Sequence, residues 1–174
     1  MPTIQKSPTP SNTLIQIYVL TPHAYTDCYS TDLPFPISFP EYLLTFYTTP
    51  LFKLERLILL LVRKPSTDEE ARQLAEGKRT TFAAWTVEAR EENQILMCDF
   101  IGRTRSWLMT APTENGTRLY FGSAVVSEEH PKFEKVPLGL FFHALLSFHK
   151  IYSVLLLYSA RSSLARKISN KARQ

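Results

Sequence analysis

Four segments of alternating polarity, about residues 81–90, 94–101, 104–111 and 117–126, run into one long apolar stretch, Leu138 to Ala160. Period-two alternation marks strands with one buried face, whereas an apolar run as long as the last segment reads as a helix. Glu91-Glu92-Asn93, Gly102-Arg103 and Glu114-Asn115-Gly116 separate the strands, and Asn-Gly is a strong hairpin signal. The order predicts an antiparallel meander that needs a cover for its apolar face, with the helix as that cover. The expected class is therefore α+β, a curved antiparallel sheet gripping a long C-terminal helix.

The apolar run is long enough to cross a bilayer. Yet it holds His143, His149 and Lys150, and a central lysine costs about 2.5–3.5 kcal/mol on insertion. His143, Ser147 and Lys150 also fall at i, i+4 and i+7, one polar stripe on a helix. A buried amphipathic helix is expected, and no transmembrane segment.

Upstream, residues 14–20 read as a strand ended by Thr21-Pro22, and Tyr25 to Ser30 as a second extended piece. Leu33-Pro34-Phe35-Pro36 cannot be regular structure, because two prolines remove donors and restrict the residues before them. A helix is expected after Ser38, with Glu41 completing a capping box. A second starts at Thr49-Pro50 and runs to about Val62, largely buried, with Lys53 and Arg56 on its wet side. Thr67-Asp68-Glu69-Glu70 caps a third, surface helix through Ala71, Leu74 and Ala75, closed by Gly77.

A chain of 174 residues with 44% hydrophobic and 21% charged residues suits one globular domain. Residues 1–13 are polar and Pro-rich and are expected to be a disordered N-terminal segment without a secretory signal. The domain is expected over 14–160. Residues 161–174 read as a basic, solvated tail, since Arg161, Arg166, Lys167, Lys171 and Arg173 lack balancing acids. That tail supplies much of the +4 net charge, an excess too mild to imply a nucleic-acid partner. Two cysteines, Cys28 and Cys98, make no disulfide framework and no zinc spacing, so a reducing cytoplasm is the default and no metal or cofactor is expected.

Charge parity assigns the strand faces. Glu88 and Arg90 pointing out leaves Ala83, Trp85, Val87 and Ala89 inside. Asp99 pointing out leaves Leu96, Cys98 and Phe100 inside; the last strand puts Leu119, Phe121, Ser123 and Val125 inside. In the third strand the more apolar set is Arg105, Trp107, Met109 and Ala111, which brings a guanidinium to the rim of the interior. Such a cation needs an acid, backbone carbonyls or an anionic ligand. Pairing with a nearby carboxylate or escape to solvent is the plainer reading of Arg105.

Known catalytic patterns are mostly excluded. The five glycines are scattered, so no phosphate loop exists. Ser123 lies inside a strand and lacks the glycine pattern of a nucleophile elbow. His143 and His149 lie on different helix faces and cannot share a metal. Asp27 and His149 remain weak candidates for a general base, possible partners of each other or of Arg105.

Tyr25-Thr26-Asp27-Cys28-Tyr29 resembles the early aromatic-x-Asp-x-aromatic strand of bacterial proteins of unknown function with a START-like, helix-grip fold. The hairpins from Gln94 through Trp107-Leu108 and from Arg118 to Val126, with the Phe148-His149-Lys150 helix, fit the same pattern over most of residues 14–160. The resemblance implies a sheet gripping the C-terminal helix around a small apolar or amphipathic ligand. Some relatives in that superfamily catalyse cyclisation or hydrolysis. The expected pocket is lined by Trp85, Trp107, Phe121 and Tyr152, with Arg105 orienting an acidic headgroup. A cyclase- or hydrolase-type enzyme in the same cavity, or an interaction module using the tail or the helix at 67–76, are the alternatives.

Overall fold

The strand segments pair as their alternation requires. In the computed structural model they are β4 (Trp85–Arg90), β5 (Gln94–Asp99), β6 (Thr104–Thr113) and β7 (Gly116–Val125), joined to β1 (Gln5–Lys6), β2 (Tyr25–Leu33) and β3 (Thr81–Phe82). The structure describes residues 4–22, 24–61, 63–126 and 138–171; of these, 58, 60–61, 138–149 and 171 are described by backbone alone. Among the described residues the strands form one antiparallel sheet in the order β1-β2-β7-β6-β5-β4-β3. The early strand β2 thus lies beside the last strand, with Asp27 opposite Ser123 and Tyr29 opposite Phe121.

One face of the sheet is covered by α2 (Phe39–Thr48), α3 (Pro50–Leu61), α4 (Asp68–Ala75) and α5 (Leu138–Lys171). The N-cap residues expected for these helices are in place, although at Ser38 only the serine half of the expected capping box forms. Ser38 accepts from the Glu41 N–H, Thr49 accepts from the Phe52 N–H, and Thr67 and Glu70 form a reciprocal capping box. Gly77, at φ +74°, ends α4 in the left-handed conformation that favours glycine. Helix α5 packs against β2, β7, α2 and α3, and among the described residues no helix is long and apolar enough to cross a membrane.

Three expectations about the chain's ends and first element differ from the structure. Residues 14–20 do not form a strand but contain the single turn α1 (Gln16–Val19). Leu14, Ile15 and Tyr18 pack together at helical spacing, whereas a strand would have buried Ile15, Ile17 and Val19. Gln5–Lys6 pairs with β2 and Ile4 packs on the core, so the sheet extends into the Pro-rich N-terminal segment. Helix α5 continues past Ala160 to Lys171, with Leu164 fully buried and the Lys167 amine donating to Thr45 at 3.0 Å. Most of the expected tail is helix.

The strand faces also differ, and for one reason: both faces are covered. The main core, under the helices, takes Ile95 and Met97 from β5, Leu108 from β6, and Leu119 and Phe121 from β7. A second core on the outer face gathers Ile15, Cys28, Leu96, Trp107, Met109, Tyr120 and Ala124, with Leu14 and Tyr18 alongside. The inner sets read for β5 and β6 therefore face outward, and Phe100, beyond the end of β5, is exposed. In β4 Trp85 and Val87 face the helices as expected, but a bulge between Val87 and Ala89 shifts the register. Ala89 joins the outer core. Arg90 swings to the helix side, where its guanidinium caps the Leu74 and Ala75 carbonyls at the end of α4.

Helix α3 departs from expectation too. Leu54 and Leu57 are exposed, while Arg56, expected on the wet side, is tucked over the Phe82 ring and paired with Asp68 at 2.5 Å.

Gln94 ties the outer core together. Its buried side-chain carbonyl accepts from the Trp107 indole N–H and the Leu14 backbone N–H, both at 2.9 Å. Replacing it by leucine strips two donors of their acceptor, which costs about 3 kcal/mol. Thr67→Ala removes one exposed cap and costs about 1 kcal/mol. Urea denaturation of the two variants should rank them in that order, and equal losses would show that Gln94 is not the tie.

Candidate functional site

Between the helix-facing side of β4–β7 and helices α2, α3 and α5 lies a cavity of about 210 Å³. Each element presents residues at its own period. Helix α3 contributes Phe52 and Glu55, one turn apart; α5 contributes Tyr152, Ser153 and Leu156; β6 contributes Thr104 and Ser106; β7 contributes Phe121 and Ser123. Phe46, Tyr47, Trp85 and Asp99 complete most of the wall. The rings brace one another, with Phe46 and Phe121 5.0 Å apart and Tyr47 set edge-on to Phe52 at 4.8 Å.

Polar chemistry in this apolar shell centres on Glu55. Its carboxylate accepts from the Tyr152 hydroxyl, and the Trp85 indole lies close by. Burial pushes its pKa above the ordinary glutamate value, and the two neutral donors only partly offset that. Burial likewise raises the Tyr152 phenol, and the Glu55 charge raises it further. Tyr47 is also raised by burial, and its hydroxyl is buried with no partner at hydrogen-bonding geometry. Ser106 is close enough to temper that rise without satisfying the group.

Of the residues expected at a site, Trp85, Phe121 and Tyr152 come together here. Trp107 does not. It is fully buried in the outer core, against Tyr120. Arg105 touches the cavity wall, but its guanidinium is engaged on the outer face. Its Nε donates to Glu88 at 2.8 Å and to the Tyr18 hydroxyl at 2.9 Å, and its Nη1 donates to the Gly102 carbonyl. The plainer reading of Arg105, a carboxylate partner, describes this geometry.

Asp27 is buried rather than solvent-facing, and it accepts from Ser123 at 2.5 Å and Tyr25 at 3.4 Å. It stands behind the cavity wall that Ser123 helps form. Burial first, and then the neighbouring Asp27 charge, raise the pKa of Tyr25 and Tyr29 and push the Cys28 thiol up to about 12. His149, with His143, belongs to the part of α5 described by backbone alone, so its side chain lies outside the described residues. Among the described residues no group of three or more His, Cys, Asp or Glu is placed to hold a metal ion.

Sequence reasoning missed Glu55 and Tyr47. A signal for Glu55 existed: it falls three residues after Phe52, on the same helical face, so an acid shares the buried side of an apolar helix. Its charged neighbours Lys53 and Arg56 mask that pattern. Comparison of the chain with protein families, curated proteins and solved structures finds no match. The fold and site together define an α+β protein with an antiparallel sheet, a long C-terminal helix and a ring-lined cavity between sheet and helices.

The raised Glu55 pKa carries a sign for stability. Below the ordinary glutamate value the carboxyl is protonated in both folded and unfolded chains and adds no slope. Between that value and the higher folded one, the folded chain keeps a proton that the unfolded chain releases, so stability falls as pH rises. Above both values the loss is complete and constant. Glu55→Gln removes this component. Thermal melts from pH 4 upward should show the variant gaining on the parent as pH rises; a constant difference would mean that Glu55 is not the group responsible.

Proposed function

We propose that this protein binds a small, ring-sized amphipathic molecule in the cavity between its sheet and its C-terminal helix, the helix-grip arrangement that its sequence resembles. The supporting observation is the pairing of an aromatic shell with polar residues in the same wall, Glu55 and Tyr47, whose buried hydroxyl has no partner. A buried hydroxyl without a partner is costly, and a ligand polar atom would satisfy it. This is the usual build of a small-molecule site: rings for contact and a few polar groups for orientation.

Size narrows the ligand. Cavities of roughly 150 Å³ accommodate benzene, and drug-sized ligands need about 300 Å³ or more. About 210 Å³ holds one ring with a short polar substituent. Arg105 has no part in this reading, because its guanidinium is already paired on the other face. The polar anchor passes to Glu55.

The enzyme alternative narrows in the same way. A glutamic acid with a raised pKa beside a tyrosine hydroxyl is a general acid/base pair in outline. Turnover of a bound ring compound, lost in Glu55→Gln with folding intact, would favour that reading over simple binding.

The test of binding is to fill the space. Leu156→Phe adds volume from α5 into the cavity, into a wall that already includes Phe46 and Phe121. A fragment screen by protein-observed NMR should find monocyclic compounds that shift resonances around Tyr47, Glu55 and Tyr152 in the parent and not in the filled variant. Hits that persist unchanged in Leu156→Phe would place binding elsewhere and sink the proposal.

A further inference from the structure

Among the described residues the charges around the cavity are one-sided. Glu55 and Asp99 both line it, and the described neighbours of the Glu55 carboxylate, Tyr152 and Trp85, are neutral. The cations nearest to Glu55 in sequence turn away: Lys53 and Arg56 both pair with Asp68 on α4, at 2.6 and 2.5 Å. Arg105 is the one basic residue in the wall among the described residues, and its guanidinium is spent on Glu88, Tyr18 and the Gly102 carbonyl. A carboxylate withdrawn from water without a cation is unfavourable, and a positively charged ligand removes that deficit.

Two further observations point the same way. The wall gathers the rings of Tyr47, Phe52, Trp85 and Tyr152 with the acid, and aromatic faces attract cations, tryptophan most strongly. Tyr47, 1% exposed, lines the same space, and its buried hydroxyl, which can accept an N–H, has no partner at hydrogen-bonding geometry. An anionic ligand would meet two carboxylates and no free guanidinium. A neutral ligand would leave Glu55 as it is.

We infer that the ligand is a small monocyclic amine bound as its ammonium ion, with Glu55 as charge partner, the Tyr47 hydroxyl as second acceptor and the rings enclosing the body. This inference rests on the cavity being a binding site and assigns the chemical class of its occupant. It reverses the acidic headgroup expected from Arg105. The ammonium offers several N–H donors, which matches a carboxylate and a phenol oxygen better than a single hydroxyl group would.

Three probes of one shape separate the possibilities: benzylamine, benzyl alcohol and benzoate, titrated into the full chain at neutral pH and followed by NMR and calorimetry. Benzylamine should bind at least about tenfold more tightly than benzyl alcohol, with benzoate weakest. Glu55→Gln keeps the shape and should lose about tenfold or more for benzylamine while changing benzyl alcohol by about twofold at most. Tyr47→Phe, which removes only the hydroxyl, should lose about threefold or more for the amine and provides the test should the glutamine variant fail to fold. Equal binding of all three probes in the cavity would overturn the amine assignment and leave the binding site standing. Failure of all three to bind would overturn both. Benzylamine binding unchanged in both variants would overturn the role of Glu55 and Tyr47, and with it the assignment.

Discussion

Both faces of the sheet are covered, and most of the architecture follows from that constraint. Helices α2 to α5 need one face for the main core, while the single turn α1 and the segment around it need the other. Residues of β2, β5, β6 and β7 must therefore be apolar on both parities, and space is short between the layers. Gly122 shows how short. A Cβ there would stand 2.9 Å from the Trp107 ring and 3.0 Å from the Asp27 carbonyl, so only glycine allows Trp107 to lie against β7. With Trp107 so placed, its indole N–H needs an acceptor, and Gln94 supplies it while also holding the Leu14 N–H at the entry to α1. The outer layer is thus pinned by one glycine and one glutamine.

The same constraint frees the inner face for a cavity. Trp107 and Met109 are drawn outward, and at the neighbouring inward positions β6 presents the small Thr104 and Ser106. In β7 the inward residue opposite Ser106 is Ser123, small again. Small side chains on two adjacent strands leave a hollow, and rings from α2, α3 and β4 roof it. Asp27 stands behind Ser123 and holds its hydroxyl, which fixes the floor of the hollow to β2.

Much of this was legible in the residues because it is local. Ser38, Thr49 and Thr67 cap helices wherever they precede one, since the hydrogen bond spans only three positions. Trp85, Phe121 and Tyr152 could be placed on the interior because their own elements settle the face. The faces of β5 and β6 could not be read, because parity arguments assume one wet side and consecutive residues of these two strands are buried on both. The β4 bulge is equally silent in composition, yet it alone sends Arg90 to cap α4. Residues 14–20 carry apolar positions compatible with either period, and the choice falls to a tertiary contact, Leu14 with Gln94, eighty positions away. Glu55 was hidden for another reason: a charge in a helix is read as solvent-facing unless its own helical face is traced.

The cavity has an energetic consequence that bears on why it persists. A hollow of about 210 Å³ deprives the rings around it of the packing partners that a filled interior would give them. Collapse would be the ordinary remedy, but the rings around the hollow brace one another and the sheet beneath is pinned from its other side through Trp107 and Gly122. Filling is the remaining remedy. Water satisfies the Tyr47 hydroxyl and the free lone pairs of Glu55 but not the faces of Phe46, Phe52 and Phe121; a hydrocarbon does the reverse. A ring carrying one strong hydrogen-bond donor answers both halves of the wall at once. The requirement comes from the packing of the outer face as much as from the groups lining the inner one.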